Sequence, residues 1–272
     1  MARCPEAPAP VRDVYVDYDG LTFHATCWNC DRHETIVYLP GFGDAGTSGD
    51  PILHRDEFRK YGVLSIDPLN QGQSDHDVVT DLVPFMNEVI RRFMDRERIH
   101  KAYFVGHSAG AFQVLAFQDA YPHRVKNRVV LLDDGQISFQ ELPSLVFPEG
   151  NDFGLPAGEY SIGDLNAMFC GAPEMGMTYD ECVAGIDAYS AFRVEPTWRH
   201  LRKVLLITRD FSIPTIPGVS EALDSAFRDA ARAFTRSVRH AEWVQIPGAE
   251  HNLFSKTEWA DPTAEAIARF LP

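Results

Sequence analysis

Residues 101–122 constrain this chain more than any other stretch. Lys101-Ala-Tyr-Phe-Val-Gly-His-Ser-Ala-Gly110 runs as a short apolar strand into Gly106-His107-Ser108-Ala109-Gly110, and an apolar helix closed by Tyr121-Pro122 follows. Strand, G-x-S-x-G and helix in that order predict a nucleophile elbow, with Ser108 at the tip of a strained turn. The turn draws its flanking backbone segments together, so a Cβ at 106 or 110 would collide with the neighbouring strand or helix. The helix N-terminus beneath Ser108 places partial positive charge where an oxyanion would form. G-x-S-x-G alone is a weak signal; set between a β-run and an apolar helix, it is a strong one.

The rest of the chain alternates around that stretch. Val11 to Tyr18 and Leu21 to Trp28 predict two antiparallel strands joined at the hairpin signal Asp19-Gly20. Thr35 to Leu39 predicts a buried strand running into Pro40-Gly41-Phe42-Gly43-Asp44, and Gly62 to Asp67 another, running into Pro68-Leu-Asn-Gln-Gly72-Gln-Ser74-Asp75. Thr80 is placed to cap a helix whose Leu82, Phe85, Met86, Val89, Ile90, Phe93 and Met94 share one face, with Pro84 in its first turn. Arg128 to Asp133, Lys203 to Thr208 and Ala241 to Ile246 predict further strands, with helices after Ser220 and from Pro262 to Leu271. Repeated βα units of this kind specify a mostly parallel, doubly wound α/β sheet.

Between Gly135 and about Pro196 the alternation stops. A capping box at Thr178 and Glu181 opens a helix to about Phe192, and Ser161 is placed to cap a shorter one. The segment reads as a helical lid inserted after the sixth strand, giving a tail at 1–10, a core at 11–135 and 197–272, and a lid at 136–196. From Val129 to Phe192 there are eleven Asp or Glu and no Lys or Arg.

At 272 residues the chain can bury a large core in one α/β domain with an insertion. A net charge of −14 argues against nucleic acid and anionic membrane as partners. The chain has no run of about eighteen apolar residues, so no transmembrane helix is expected. The start lacks an apolar signal-peptide core, which makes the cytoplasm the expected location. Five cysteines in a sizeable domain suit reduced thiols, and Cys27 and Cys30, a C-x-x-C near His24 and His33, read as two thiols at a hairpin end.

With the elbow and the βα order in place, the chain resembles the α/β-hydrolase family over nearly all of its length after the first ten residues. In that fold the order is nucleophile, acid, histidine. His251, in Pro247-Gly-Ala-Glu-His251-Asn after the last strand, and Asp210, after the strand Val204 to Thr208, fit that order. Both emerge at the C-terminal edge of the sheet, where sites lie in open α/β folds. Asp133 and Asp134, after the preceding strand, are the alternatives for the acid. The resemblance implies an oxyanion hole built from the N–H of Ala109 and that of Phe42, with Gly43 as alternate. Gly41, Gly43, Phe147, Met168 and Phe169 are expected to line the substrate pocket. The chain departs from the family in two loops: the usual His-Gly reads Pro40-Gly41, and Asp-x-x-Gly-His-Gly-x-Ser reads Asp67-Pro-Leu-Asn-Gln-Gly72-Gln-Ser74. His107, beside the serine, is expected to pack behind the elbow.

These features predict a cofactor-free serine hydrolase acting on an ester or lactone, with no metal site. The acidic segment favours a neutral or cationic, partly aromatic small molecule over acyl-CoA, phosphates or carboxylates. A C–C hydrolase or lyase using the same triad, and a hydrolase-fold ligand-binding protein, are the alternatives.

Overall fold

The predicted alternation folds around one twisted sheet. The computed structural model describes residues 10–133, 137, 141–150, 156–161, 163–164, 170, 176–194, 201, 203–214 and 220–272. β1 (Val11–Tyr18) and β2 (Leu21–Trp28) form an antiparallel hairpin in which Val11 faces Trp28 and Tyr18 faces Leu21. Its turn holds Asp19 at φ 53° and Gly20 at φ 81°, the left-handed pair whose twist matches that of the strands. β3 (Glu34–Leu39), β4 (Tyr61–Ile66), β5 (Ala102–His107) and β6 (Val125–Leu132) follow. A separate two-stranded ribbon pairs β7 (Leu145–Phe147) with β8 (Gly158–Tyr160), and β9 (Val204–Thr208) and β10 (Ala241–Gln245) return to the main sheet. The main sheet has eight strands in the order β1-β2-β4-β3-β5-β6-β9-β10, parallel from β4 onward.

The period of two along each strand decides where the core sits. Val37, Leu39, Phe104, Val129, Leu131 and Leu206 join one apolar layer with α2 (Leu82–Arg96), α3 (Ala109–Ala120) and α5 (Glu221–Ser237). Their neighbours Ile36, Tyr38, Val105, Val130, Leu132 and Ile207 join the other layer, with α1 (Asp50–Leu53) and α6 (Thr257–Phe270). The sheet is therefore buried on both faces, as parallel sheets require.

Two helix starts differ from expectation. Asp81 rather than Thr80 takes the cap position of α2, accepting the Phe85 N–H through its carbonyl at 3.0 Å. α6 begins at Thr257, not Pro262, because Trp259 and Ala260 are buried and hold the preceding turn to the sheet. Pro262 therefore sits inside the helix, where it has no N–H to give to the carbonyl of Glu258.

Between β6 and β9, α4 (Tyr179–Ala191) opens on the expected capping box, Glu181 N–H to Thr178 Oγ1 at 3.4 Å and Thr178 N–H to Glu181 Oε2 at 2.7 Å. Ser161 and Asp164 cap one another similarly. The cysteines differ from the reduced thiols expected: Cys27 is bonded to Cys30, and Cys170 to Cys182 of α4. Cys27 of β2 and Cys30 just past its end lie within bridging range, as do Cys170 and Cys182, with Cα–Cα 5.7 and 5.4 Å, a proximity that cysteine counting does not reveal. No described helix is long and apolar enough to cross a membrane.

Candidate active site

The elbow has the strained geometry its sequence demands. Ser108 follows β5 at φ 51° and ψ −120°, a left-handed backbone that a non-glycine residue adopts only under constraint. The constraint is visible: Ser108 N–H donates to Leu132 O at 2.9 Å, and Ala111 N–H donates to Ser108 O at 2.9 Å. A Cβ on Gly110 would lie 2.1 Å from Leu39 O, and one on Gly106 would lie 2.4 Å from Gly110 O. Nothing larger than glycine fits either position.

The sheet ladder then continues one strand outward. Asp133, the residue after β6, donates its N–H to Ile207 O at 2.7 Å and is completely buried. His251 Nδ1 lies 2.7 Å from Asp133 Oδ2. The carboxylate that meets the histidine is thus that of Asp133, not that of Asp210, where the acid was expected. Asp210 lies beyond the end of β9, where its carboxylate accepts Gly248 N–H at 2.9 Å and the Ser212 N–H and hydroxyl at 3.0 and 2.6 Å. Those bonds, Gly248 first, hold its carboxyl below the ordinary range. Asp210 N–H also donates to Ala249 O at 2.9 Å, so the residue ties down the histidine loop by its backbone. Asp134 lies outside the described residues.

Arg209 was not foreseen. Burial alone would push the Asp133 carboxyl up, but the Arg209 charge and the His251 hydrogen bond override it and hold the carboxyl below its usual range. The Arg209 guanidinium reaches Asp133 Oδ2 at 2.5 Å and its backbone N–H reaches Oδ1 at 2.7 Å. The available signal was positional: an Asp directly after β6 stands level with Ser108 on the adjacent strand, whereas Asp210 stands two strands away and two residues past the end of β9.

His107 packs behind the elbow as expected. It is 1% exposed, its ring lies 4.9 Å from that of His251, and Phe254 meets it edge-on at 4.8 Å. Burial, then the proximity of His251, pushes its pKa down to about 3, so the neutral imidazole stands 3.0 Å from the His251 carbonyl through Nε2. His107 thereby fixes the backbone of the histidine loop.

The loop after β3 lies against the elbow, and a Cβ on Gly41 would stand 3.3 Å from Ser108 Cβ. Its brace is Gln71, buried in the turn after β4 where the family pattern carries histidine. With both ends of its amide satisfied, Gln71 donates to the carbonyls of Asp44 and of Gly41 (3.3 Å) and accepts the Gly43 N–H at 3.1 Å. Gly43, at φ 87°, is therefore committed to Gln71. Among the described residues no hydrogen bond claims the Phe42 N–H. The Phe42 ring packs on α4, edge-on to Tyr189 at 6.3 Å and so close to Gly185 that a Cβ there would lie 2.4 Å from Cε2.

Of the expected pocket residues, Phe147 is instead core: it is 2% exposed and meets Tyr160 edge-on at 5.7 Å within the β7–β8 ribbon. Met168 and Phe169 lie outside the described residues. Among the described residues no group of three or more His, Cys, Asp or Glu is arranged to hold a metal ion.

Known proteins share this plan. Esterase YbfF of Escherichia coli is 29% identical over 115 residues, 42% of this chain and 44% of the relative. A 2-hydroxy-6-oxononadienedioate/2-hydroxy-6-oxononatrienedioate hydrolase of Paraburkholderia phymatum is 36% identical over 107 residues, 38% of this chain and 36% of the relative. Each match thus spans less than half of the curated relative. Among solved structures, the enol-lactonase from Burkholderia xenovorans LB400 superposes with a TM-score of 0.67 at 16% identity, covering 94% of this chain and 99% of that one, a likeness of fold. The family model described as "Alpha/beta hydrolase family" matches residues 20–266, and the chain belongs to that family.

Proposed function

We propose that this chain is a serine hydrolase of ester-like bonds, ester or lactone, with Ser108 as nucleophile, His251 as base and Asp133 as the acid that orients it. The observation that carries this reading is the 2.7 Å contact between His251 Nδ1 and a completely buried Asp133, one strand from a strained serine elbow. With Nδ1 held by Asp133, Nε2 of the imidazole is the nitrogen left to take the Ser108 proton as the hydroxyl attacks the carbonyl carbon. The N–H groups of Ala109 and Phe42 receive the developing oxyanion. His251 returns its proton to the leaving oxygen, and the acyl-Ser108 remains. Water, deprotonated by His251, then attacks the acyl group and frees the acid and the serine. No step calls for a cofactor.

The segment 136–196 acts as a lid over core residues 11–135 and 197–272. Its exposed carboxylates, among them Glu141, Glu149, Glu159, Asp180 and Asp187, disfavour anionic substrates. Neutral or cationic, partly aromatic small molecules are the substrate class. The relatives named for dioate hydrolysis keep C–C cleavage by the same triad as the second reading, but a dicarboxylate would meet that acidic surface. Two cystines suit an oxidising compartment better than the cytoplasm expected from the cysteine count.

Labelling by a fluorophosphonate probe tests the reading. Wild type should label, and Ser108→Ala and His251→Ala should not. A folded wild type that neither labels nor turns over neutral aryl esters would return the chain to the ligand-binding alternative.

A further inference from the structure

The triad does not account for the buried cation beside it. The Arg209 side chain is 7% exposed, with one arm on Asp133 Oδ2 at 2.5 Å. Its other arm stands 3.8 Å from Asp224 Oδ1, and the Ser220 hydroxyl donates to Asp224 Oδ2 at 2.7 Å. The guanidinium plane rests near two aromatic rings, Phe227 at 4.6 Å and Phe211 at 5.1 Å. This site is built for a planar fork, which lysine cannot reproduce. Burying a cation and two carboxylates costs desolvation that their attraction seldom exceeds, and a well-packed apolar pair would stabilise the fold as well. Stability alone therefore gives no reason for the arrangement.

Resting on the triad proposed above, we infer that Arg209 is a positioning residue for the acid: it fixes both oxygens of Asp133 and offsets part of their charge, so that His251 stays an unprotonated base into more acidic solution than an unpaired acid would allow. The geometry gives the direction. Asp133 Oδ2 accepts from Arg209 and from His251 at once, so the anion that would stabilise an imidazolium is already shared with a permanent cation. Asp224, on the far side of Arg209, takes back part of that effect. Among the described residues, the other groups facing His251 are the neutral ring of His107 and the Asp44 carboxylate, whose charge interacts with His251. Glu250, its exposed sequence neighbour, is paired with Lys256 at 3.6 Å. None of these changes in the variants below.

The test reads the acid limb of kcat/KM for a neutral aryl ester, together with the His251 imidazole titration by NMR. Asp224→Asn removes the counter-charge on the far side of Arg209, and the limb should move to lower pH by on the order of half a unit. Arg209→Met combined with Asp224→Leu removes the cation with its counter-charge, and the limb should move up by on the order of one unit. Arg209→Lys keeps the charge without the fork: its limb should stay near wild type while kcat falls about tenfold. A merely structural role would lower turnover in all three without opposite shifts. Limbs that stay put, or move the same way in the first two variants, overturn the inference; should the double variant not fold, a limb at or above wild type in Asp224→Asn does so alone. The titration needs no turnover, so its failure in an enzyme whose Ser108 labels is distinct from failure of the hydrolase reading, in which wild type does not label.

Discussion

Asp133 and Asp210 occupy neighbouring loops at the same edge of the sheet, one after β6 and the other after β9, and their environments are opposite. Asp133 is completely buried, directly follows its strand, and meets a histidine and an arginine with its carboxylate. Asp210 is partly exposed and spends its carboxylate on the Gly248 N–H and on Ser212. Both carboxyls are held below the ordinary range, Asp133 by charged partners working against burial and Asp210 by hydrogen bonds led by that of Gly248. A depressed carboxylate is therefore no guide to which one serves the base. Depth is the guide: the acid must sit level with Ser108, in the low-dielectric layer where its charge acts on an imidazole rather than on water.

The comparison breaks most sharply under substitution. Asp133→Asn should lower kcat on an aryl ester by about 10³–10⁴-fold, the loss expected when the orienting acid is neutralised with its shape kept. It should also destabilise the fold by about 3–5 kcal/mol, because Arg209 loses its nearest counter-charge, as read from urea midpoints. Asp210 cannot rescue it, since the β9 loop holds it on Gly248. Equal losses from Asp133→Asn and Asp210→Asn would mean that the two loops rearrange in turnover.

A third loop sharpens the contrast. Gln71 does for the loop after β3 what Asp210 does for the histidine loop: each holds backbone and offers no charge to the reaction. Gln71→Leu should release Gly43 and the Gly41 carbonyl, lowering kcat by about 10–100-fold with KM little changed, because the Phe42 donor is displaced from the oxyanion. A rise in KM at constant kcat would instead place Gln71 in ground-state binding.

Much of this was legible in the chain itself, and the reasons are local. The hairpin, the elbow and the capping box are short-range devices, decided by Asp19-Gly20, by Gly106 and Gly110, and by Thr178 with Glu181. His251 was legible because it follows the last strand at a turn built on Gly248, at φ 74°. The carboxylate at His251 was misplaced because chain order was followed in place of strand position: Leu132 stands opposite His107, which sets Asp133 level with Ser108, a register between strands that chain order does not carry. Arg209 was hidden for the same reason: read along the chain it is one charged residue at a strand end, and only the fold puts Asp133 on one side of it and Asp224 on the other. Phe147 looked like a pocket residue because aromaticity does not distinguish a lining from a core.

Asp210→Asn should have the smaller effects. Turnover should fall less than about tenfold, since one backbone hydrogen bond at the histidine loop weakens while the acid stays in place. Its stability effect carries a definite pH dependence. The Asp210 carboxyl is depressed in the folded chain, so its contribution is present above the ordinary carboxyl range and disappears as pH falls through the folded value. Partial exposure keeps that contribution within about 1 kcal/mol. Urea midpoints of wild type and Asp210→Asn should therefore differ slightly at neutral pH and converge on acidification. A difference that persists or grows in acid would mean that the Gly248 contact is held by packing rather than by the carboxylate, and Asp210 would then differ from Asp133 even in the kind of interaction that fixes it.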